Sequence, residues 1–322
     1  MRLNLPQTVL ECDMKSLLSG RWWLFIAAIA LARTAYAETP PMFLQRWSSQ
    51  FDEAYGITVD PSGHVRTCEY TTARVQTFTN NGSFLGTFGV GHASGIASDM
   101  EGNIYIVDQP RRKIQKFTGG GVLLVEWGSK GTGDGQFMNP FGVAVDVSGN
   151  VYVSDWGLSR ITKFAPDTTY VTKWGTFGTG DGQFNTPDGI DVDQAGNVFV
   201  VDRMNARVEK FTSDGTFVTK WGSFGTFQSP MGIGIDAQGN VYVTDIGNAN
   251  VGIQKFTGDG SFLTRWGTYG TAPGQLGEPW DVAIDAAGNA YVMDRYGWVS
   301  KFGPAPVPTA PVTWGRLKAR YR

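Results

Sequence analysis

The side chains with the widest chemical range are scarce in this chain. It has two histidines, His64 and His92, and two cysteines, Cys12 and Cys68. No Cys–His pairing, G-x-S-x-G elbow or H-E-x-x-H segment occurs, which removes the common nucleophile and zinc-hydrolase patterns. What remains for metal or acid–base work is carboxylate. Three aspartates stand out of register with their surroundings: Asp188, Asp191 and Asp281. Gathered at one place, they would suit a hard cation such as Ca²⁺, which takes oxygen ligands. A second set, mixing aromatics, arginines and amides, would suit stacking and oriented hydrogen bonds instead of bond breaking.

The register against which those aspartates stand out is an internal repeat. The pentad "GITVD" at 56 returns as "GIASD" at 95, "GVAVD" at 142, "GIDVD" at 189, "GIGID" at 232 and "DVAID" at 281. The steps are 39, 47, 47, 43 and 49 residues, the length of one propeller blade. Asp191 falls where other repeats carry Ala97, Ala144, Gly234 or Ala283, and Asp281 replaces the pentad glycine.

Each repeat holds four short strand signals. In the third they are "GVAVD" (142–146), "NVYVSD" (150–155), "RITKF" (160–164) and "YVTKWG" (170–175), all β-branched or aromatic with period-2 alternation. A D-x-x-G-N turn joins the first two, with Gly149 supplying the left-handed conformation of a tight hairpin. These turns share the opening of a calcium loop but lack its later ligands, so they read as hairpins. One four-stranded sheet cannot bury both its faces. Six in a ring can, so the expected fold is all-β, a six-bladed propeller with Val151, Val153 and their equivalents between blades.

The composite repeat, running from G-V-A-V-D through G-N-V-Y-V and R-I-x-K-F to K-W-G, resembles the NHL repeat. The "GTGDGQF" stretches at 131–137 and 178–184 resemble its inter-repeat loop. The likeness covers residues 43 to about 303. It implies a six-bladed propeller acting as a binding module, or, as in a few relatives, a metal-dependent lyase or hydrolase. Those lyases use several histidines around a metal. Here His64 lies in a first-to-second turn and His92 in a loop leading into a first strand. A strand of about five residues at roughly 3.3 Å each separates the two, too far for a shared metal. Arg160 and Arg207 match the family's structural arginine. Repeat 1 departs most, with "HVRTCEY" placing Arg66 and Cys68 on a strand and Glu69 in an aspartate slot. Repeat 5 carries an insertion and repeat 6 is shortened.

Propeller topology puts the loops leading into first strands on the same face as the second-to-third loops. The lead-in positions are Tyr55, Ser94, Phe141, Asp188, Met231 and Trp280; the other loops offer Tyr70, Arg111, Arg112, Trp156, Arg203, Asn205, Asn248, Arg295, Tyr296 and Trp298. Their variety marks this face as the expected ligand surface for a protein, peptide or glycan. Asp188 and Asp191 belong to blade 4 and Asp281 to blade 6, so convergence on a cation depends on the ring geometry.

The N-terminus carries a different signal. From Met14, Lys15 and Arg21 precede the apolar run Trp22–Ala32 and an Ala35-Tyr36-Ala37 cleavage pattern. This is the pattern of a secretory signal covering 1–37, with Met14 as the natural start, cleavage after Ala37, and an uncleaved anchor as the alternative. Export to periplasm, cell surface or medium follows, with no stable membrane insertion once the signal is gone. The mature chain then holds Cys68 alone and no internal disulfide. A net charge of −2 gives no electrostatic basis for nucleic-acid binding. A monomer is the expected state.

Seven segments compete for six fourth-strand places. "PVTWG" (311–315) follows the proline-rich "GPAPVPTAP", which disfavours strand pairing. "FLQRW" (43–47) matches "FLTRW" (262–266) and precedes repeat 1. The expectation is therefore that 43–47 closes the last blade and 304–322 forms a linker and basic tail.

Overall fold

The structure is a computed structural model that describes residues 38–48, 53–247 and 251–304. Six four-stranded antiparallel sheets account for nearly all of it. Blades 1 to 5 run Ala54–Gly89, Ala93–Trp127, Pro140–Trp174, Pro187–Trp221 and Pro230–Trp266 in simple strand order. Blade 6 takes three strands from Pro279–Gly303 and its outermost strand from Met42–Ser48. The closure anticipated for 43–47 is what the register shows: Phe43 pairs with Phe302 and Trp47 with Val299. Residues 1–37, where a signal was expected, the 311–315 segment and residues 248–250 lie outside the described residues.

The core is divided among the junctions between blades. Val151 and Val153 join Tyr105, Val107 and Trp127 of blade 2, whereas Tyr152 joins Val198, Val200 and Phe211 of blade 4. That is the period-2 alternation of one strand serving two interfaces. A tryptophan near the end of an outermost strand completes most junctions. Trp174 and Trp221 lie against Gly215 and Gly260 of the next blade, and Trp47 lies against Gly82. Those glycines have φ of +90°, +91° and +76°, and a Cβ on any of them would come within 2.7 Å of the indole.

Cys68 is a fully buried core residue, and burial raises its thiol pKa. The hairpin reading of the D-x-x-G-N turns also holds. The Asp146 carboxylate accepts the backbone N–H groups of Ser148 and Asn150 at 2.9 Å and the Tyr152 hydroxyl at 3.0 Å, leaving a closed turn.

Two features differ from expectation. First strands begin two residues before the pentad: Pro140 already pairs with Asp155, across a register irregularity between Pro140 and Val143 that recurs in the other blades. The "GTGDGQF" stretches are not plain loops, since Ser129–Lys130 and Thr176–Phe177 pair in parallel with Gln136–Phe137 and Gln183–Phe184.

Candidate functional site

In blades 3 to 6 a buried aspartate ending the second strand holds the lead-in loop in place. Asp155 is fully buried and accepts the N–H groups of Met138 and Asn139 at 2.8 and 2.9 Å; Asp245 does the same for Gln228 and Ser229. The residue after the aspartate donates back to the lead-in loop, as in Trp156 N–H to Asn139 C=O (3.2 Å) and Arg295 N–H to Glu278 C=O (2.9 Å). In blade 1 Glu69 fills that slot and turns instead to Arg74 and Gln76. Each lead-in loop is thereby tied to its own second-to-third loop, so both sets of side chains stand at fixed positions around the channel.

At the channel mouth these side chains form an aromatic cup. Tyr55 lies at its centre, with ring centroids 4.4 Å from Trp280, 5.3 Å from Tyr70 and 6.4 Å from Phe141. Arg295 covers the Trp280 ring at 5.7 Å and pairs with Glu278 at 3.3 Å. His92 continues the rim, its ring 5.4 Å from Tyr70 and its Nδ1 2.7 Å from the Tyr70 carbonyl. Below the cup opens a cavity of about 230 Å³, walled by first strands and lined by Met231, Ser94, Asp191 and Asp281 among others.

Sequence reasoning placed Tyr55, Tyr70, Phe141, Met231, Trp280 and Arg295 on one face, and the structure brings them together. Others stand apart. Arg111 turns outward to Glu126 on an outermost strand (3.1 Å), and Arg112 donates to the Met138 carbonyl (3.3 Å). Asn205 is spent on Asp202 and the Gly178 carbonyl, and Arg203 on Ser229 and Asp188. Tyr296 donates to Glu278 (3.1 Å), and Trp156 is exposed on its turn. Trp298 begins the third strand of blade 6 beside Arg46 and is not a loop residue. Trp280 likewise belongs to a strand, Pro279–Ile284, and is half-buried. Asn248 lies outside the described residues.

The three aspartates do not converge. Asp188 is buried beside Arg203, 3.5 Å away, and is not part of the cavity wall. Asp191 and Asp281 do face the cavity, but their oxygens are engaged. Asp191 accepts the N–H groups of Val192 (2.8 Å) and Ile235 (2.9 Å), and Asp281 those of Val282 (2.9 Å) and Ile57 (3.0 Å). Each carboxylate thus satisfies the inner edge of the next blade, joining blade 4 to 5 and blade 6 to 1. Among the described residues no group of three or more His, Cys, Asp or Glu could hold a metal. This donor set does not fit Ca²⁺, which needs six or more oxygens.

Burial, partly offset by these N–H bonds, raises Asp191 and Asp281 to about 7. In the unfolded chain they titrate near 3.8. Across that window the folded state keeps protons the unfolded state has lost, so these groups make stability decline as pH rises. Thermal unfolding should therefore occur at a lower temperature at pH 8 than at pH 5. An Asp191→Asn, Asp281→Asn double variant should show a smaller difference. An undiminished difference in that variant would assign the effect to other groups.

No family model matches the chain, and no curated protein does either. Solved structures do. A streptogramin B lyase is 15% identical with a TM-score of 0.61, the match covering 81% of this chain and 97% of that one. A gluconolactonase from Xanthomonas campestris is 15% identical with a TM-score of 0.62, covering 83% and 98%. A catalytically inactive virginiamycin B lyase from Staphylococcus aureus, with quinupristin, is 16% identical with a TM-score of 0.59, covering 80% and 98%. At such identities the likeness shows the fold alone. The chain is a six-bladed β-propeller whose loop face is cupped by aromatic side chains.

Proposed function

We propose that this protein is an exported binding module, an NHL-type propeller that seats a planar or apolar group of a protein, peptide or glycan in the cup. The observation carrying this reading is the cluster of Tyr55, Tyr70, Phe141 and Trp280 at the channel mouth, half-buried and presented on rigid strand ends. Aromatic faces of this kind give contact area at low entropic cost. The secretory pattern before Glu38 and the paired charges around the rim support a ligand outside the cytoplasm and not a polyanion.

The test is a glycan and peptide array read with wild type, Tyr55→Ala and Trp280→Ala. A ligand found with wild type should lose roughly tenfold or more in affinity with each variant, as for a buried aromatic anchor. Equal binding by all three would remove the cup from the function.

A second reading, a hydrolase or lyase, is favoured by one observation: two carboxylates near neutrality line a cavity beneath the cup. Groups poised there can take and return a proton. No step runs through a metal, since the donor set does not fit one. Hydrolysis of gluconolactone-type esters that Asp281→Asn abolishes would support this reading, and absence of turnover in wild type would end it.

A further inference from the structure

We infer that the connections between blades 3 and 6 form a second site, an arc of aromatic platforms that takes an extended, neutral polysaccharide chain. Three successive connections place an aromatic at the same register position: Phe177, Phe224 and Tyr269. Each pairs in parallel with a fully buried partner, Phe184, Phe227 and Leu276 respectively. The residue after each ring repeats one hydrogen bond: the N–H groups of Gly178, Gly225 and Gly270 donate to the carbonyls of those partners at 3.2, 3.3 and 3.1 Å. The backbone beneath each ring is therefore fixed.

The rings themselves are left in solvent. Phe177, Phe224 and Tyr269 are 73, 74 and 67% exposed. The fold does not require an aromatic there, because the equivalent position before blade 3 is Lys130, paired with Phe137 in the same way. A repeat that tolerates lysine yet exposes three phenyl-type rings in a row has a use for the rings.

The surroundings favour a sugar polymer over a protein. A protein hot spot needs a pocket that excludes water around an apolar anchor. These rings instead stand one blade apart, each on its own connection. The charges beside them are neutralised, Lys173 by Asp134 at 2.9 Å and Lys220 by Asp181 at 2.8 Å. A pyranose offers what such a surface lacks: a face of C–H bonds for the negative face of the ring, and hydroxyls at its edge. Beside Phe224 a groove of about 390 Å³, lined by Thr179, Asn205, Lys220 and Trp221, gives a sugar ring room to lie alongside the platform. One platform per blade makes binding multivalent along a chain.

Affinity electrophoresis through gels containing hydroxyethylcellulose, arabinoxylan or galactomannan tests this. At least one polymer should retard the wild-type protein. Phe177→Ala, Phe224→Ala and Tyr269→Ala should each weaken retardation by roughly 3- to 10-fold, the value of one aromatic contact. The triple variant should migrate as in a plain gel with unchanged thermal stability, and Phe224→Tyr should retain binding. Affinity should rise from disaccharide to longer oligosaccharides. Absence of retardation by all three polymers, or a triple variant retarded like wild type, overturns the inference. The cup is tested separately: Trp280→Ala should leave retardation intact, and if it alone abolishes retardation the polymer occupies the cup and not the arc.

Discussion

Removing residues 38–48 should abolish the cooperative unfolding transition, whereas a chain ending at Pro304 should melt like the full protein. The strand Met42–Ser48 is the outermost strand of blade 6 and pairs along its length with Trp298–Gly303. Its side chains belong to two junctions. Trp47 lies 6.2 Å from both Phe78 of blade 1 and Tyr291 of blade 6, and Phe43 lies 5.8 Å from Phe302. Arg46 donates to Ser300 Oγ at 2.9 Å, to the Thr271 carbonyl at 3.0 Å, and to the Gln275 carbonyl. Truncating one core tryptophan costs about 3–5 kcal/mol, and whole domains are stable by only about 5–15 kcal/mol. Losing the strand therefore approaches the entire margin. Circular dichroism melts of the two truncations decide the matter. A folded protein without 38–48, or an unfolded one without 305–322, would mean that 311–315 closes the ring instead.

The second large effect separates tryptophans by place. Trp174→Ala should cost about 3–5 kcal/mol as the loss of a large junction aromatic. Its indole packs on Gly215 and lies 5.9 Å from Phe211 and 6.4 Å from Tyr152. Trp156→Ala, at an exposed turn, should stay within about 0.5 kcal/mol. Trp280 starts a strand and packs edge-on against Tyr55, so its truncation should fall between the two, not beside Trp156. Chemical denaturation of the three variants measures this directly. Equal costs for Trp156 and Trp174 would contradict the assignment of faces.

The fold was legible because its information is local and repeated: period-2 strands, a turn with glycine at φ +82° (Gly149), and a fixed step between pentads. Even the closing strand could be read, from its likeness to Phe262–Trp266. The site was legible only in part. Which residues sit at loop positions follows from topology, but where their side chains turn depends on partners remote in sequence. Arg111 leaves the cup for Glu126, and Asp281 turns to the N–H of Ile57, 224 residues away. Sequence flagged Asp191 and Asp281 as out of pattern without revealing that they satisfy a neighbouring strand edge. Phe177, Phe224 and Tyr269 lie in connections that read as spacers in the sequence. The signal was there, in "GTFG", "GSFG" and "GTYG".

Closure of blade 6 by the N-terminal strand also governs the order of events as the chain leaves the ribosome. Arg46 and its partner Ser300 are 254 residues apart, so the strand made first waits for the one made last. Five blades can assemble vectorially as they emerge, each on the one before. The sixth cannot, and until it does Met42–Ser48 remains an unpaired strand open to adventitious pairing. Such a non-local final contact makes ring closure the slow step. Keeping that strand unpaired with anything else until blade 6 is complete is a demand the ring places on its folding, not one the blades meet by themselves.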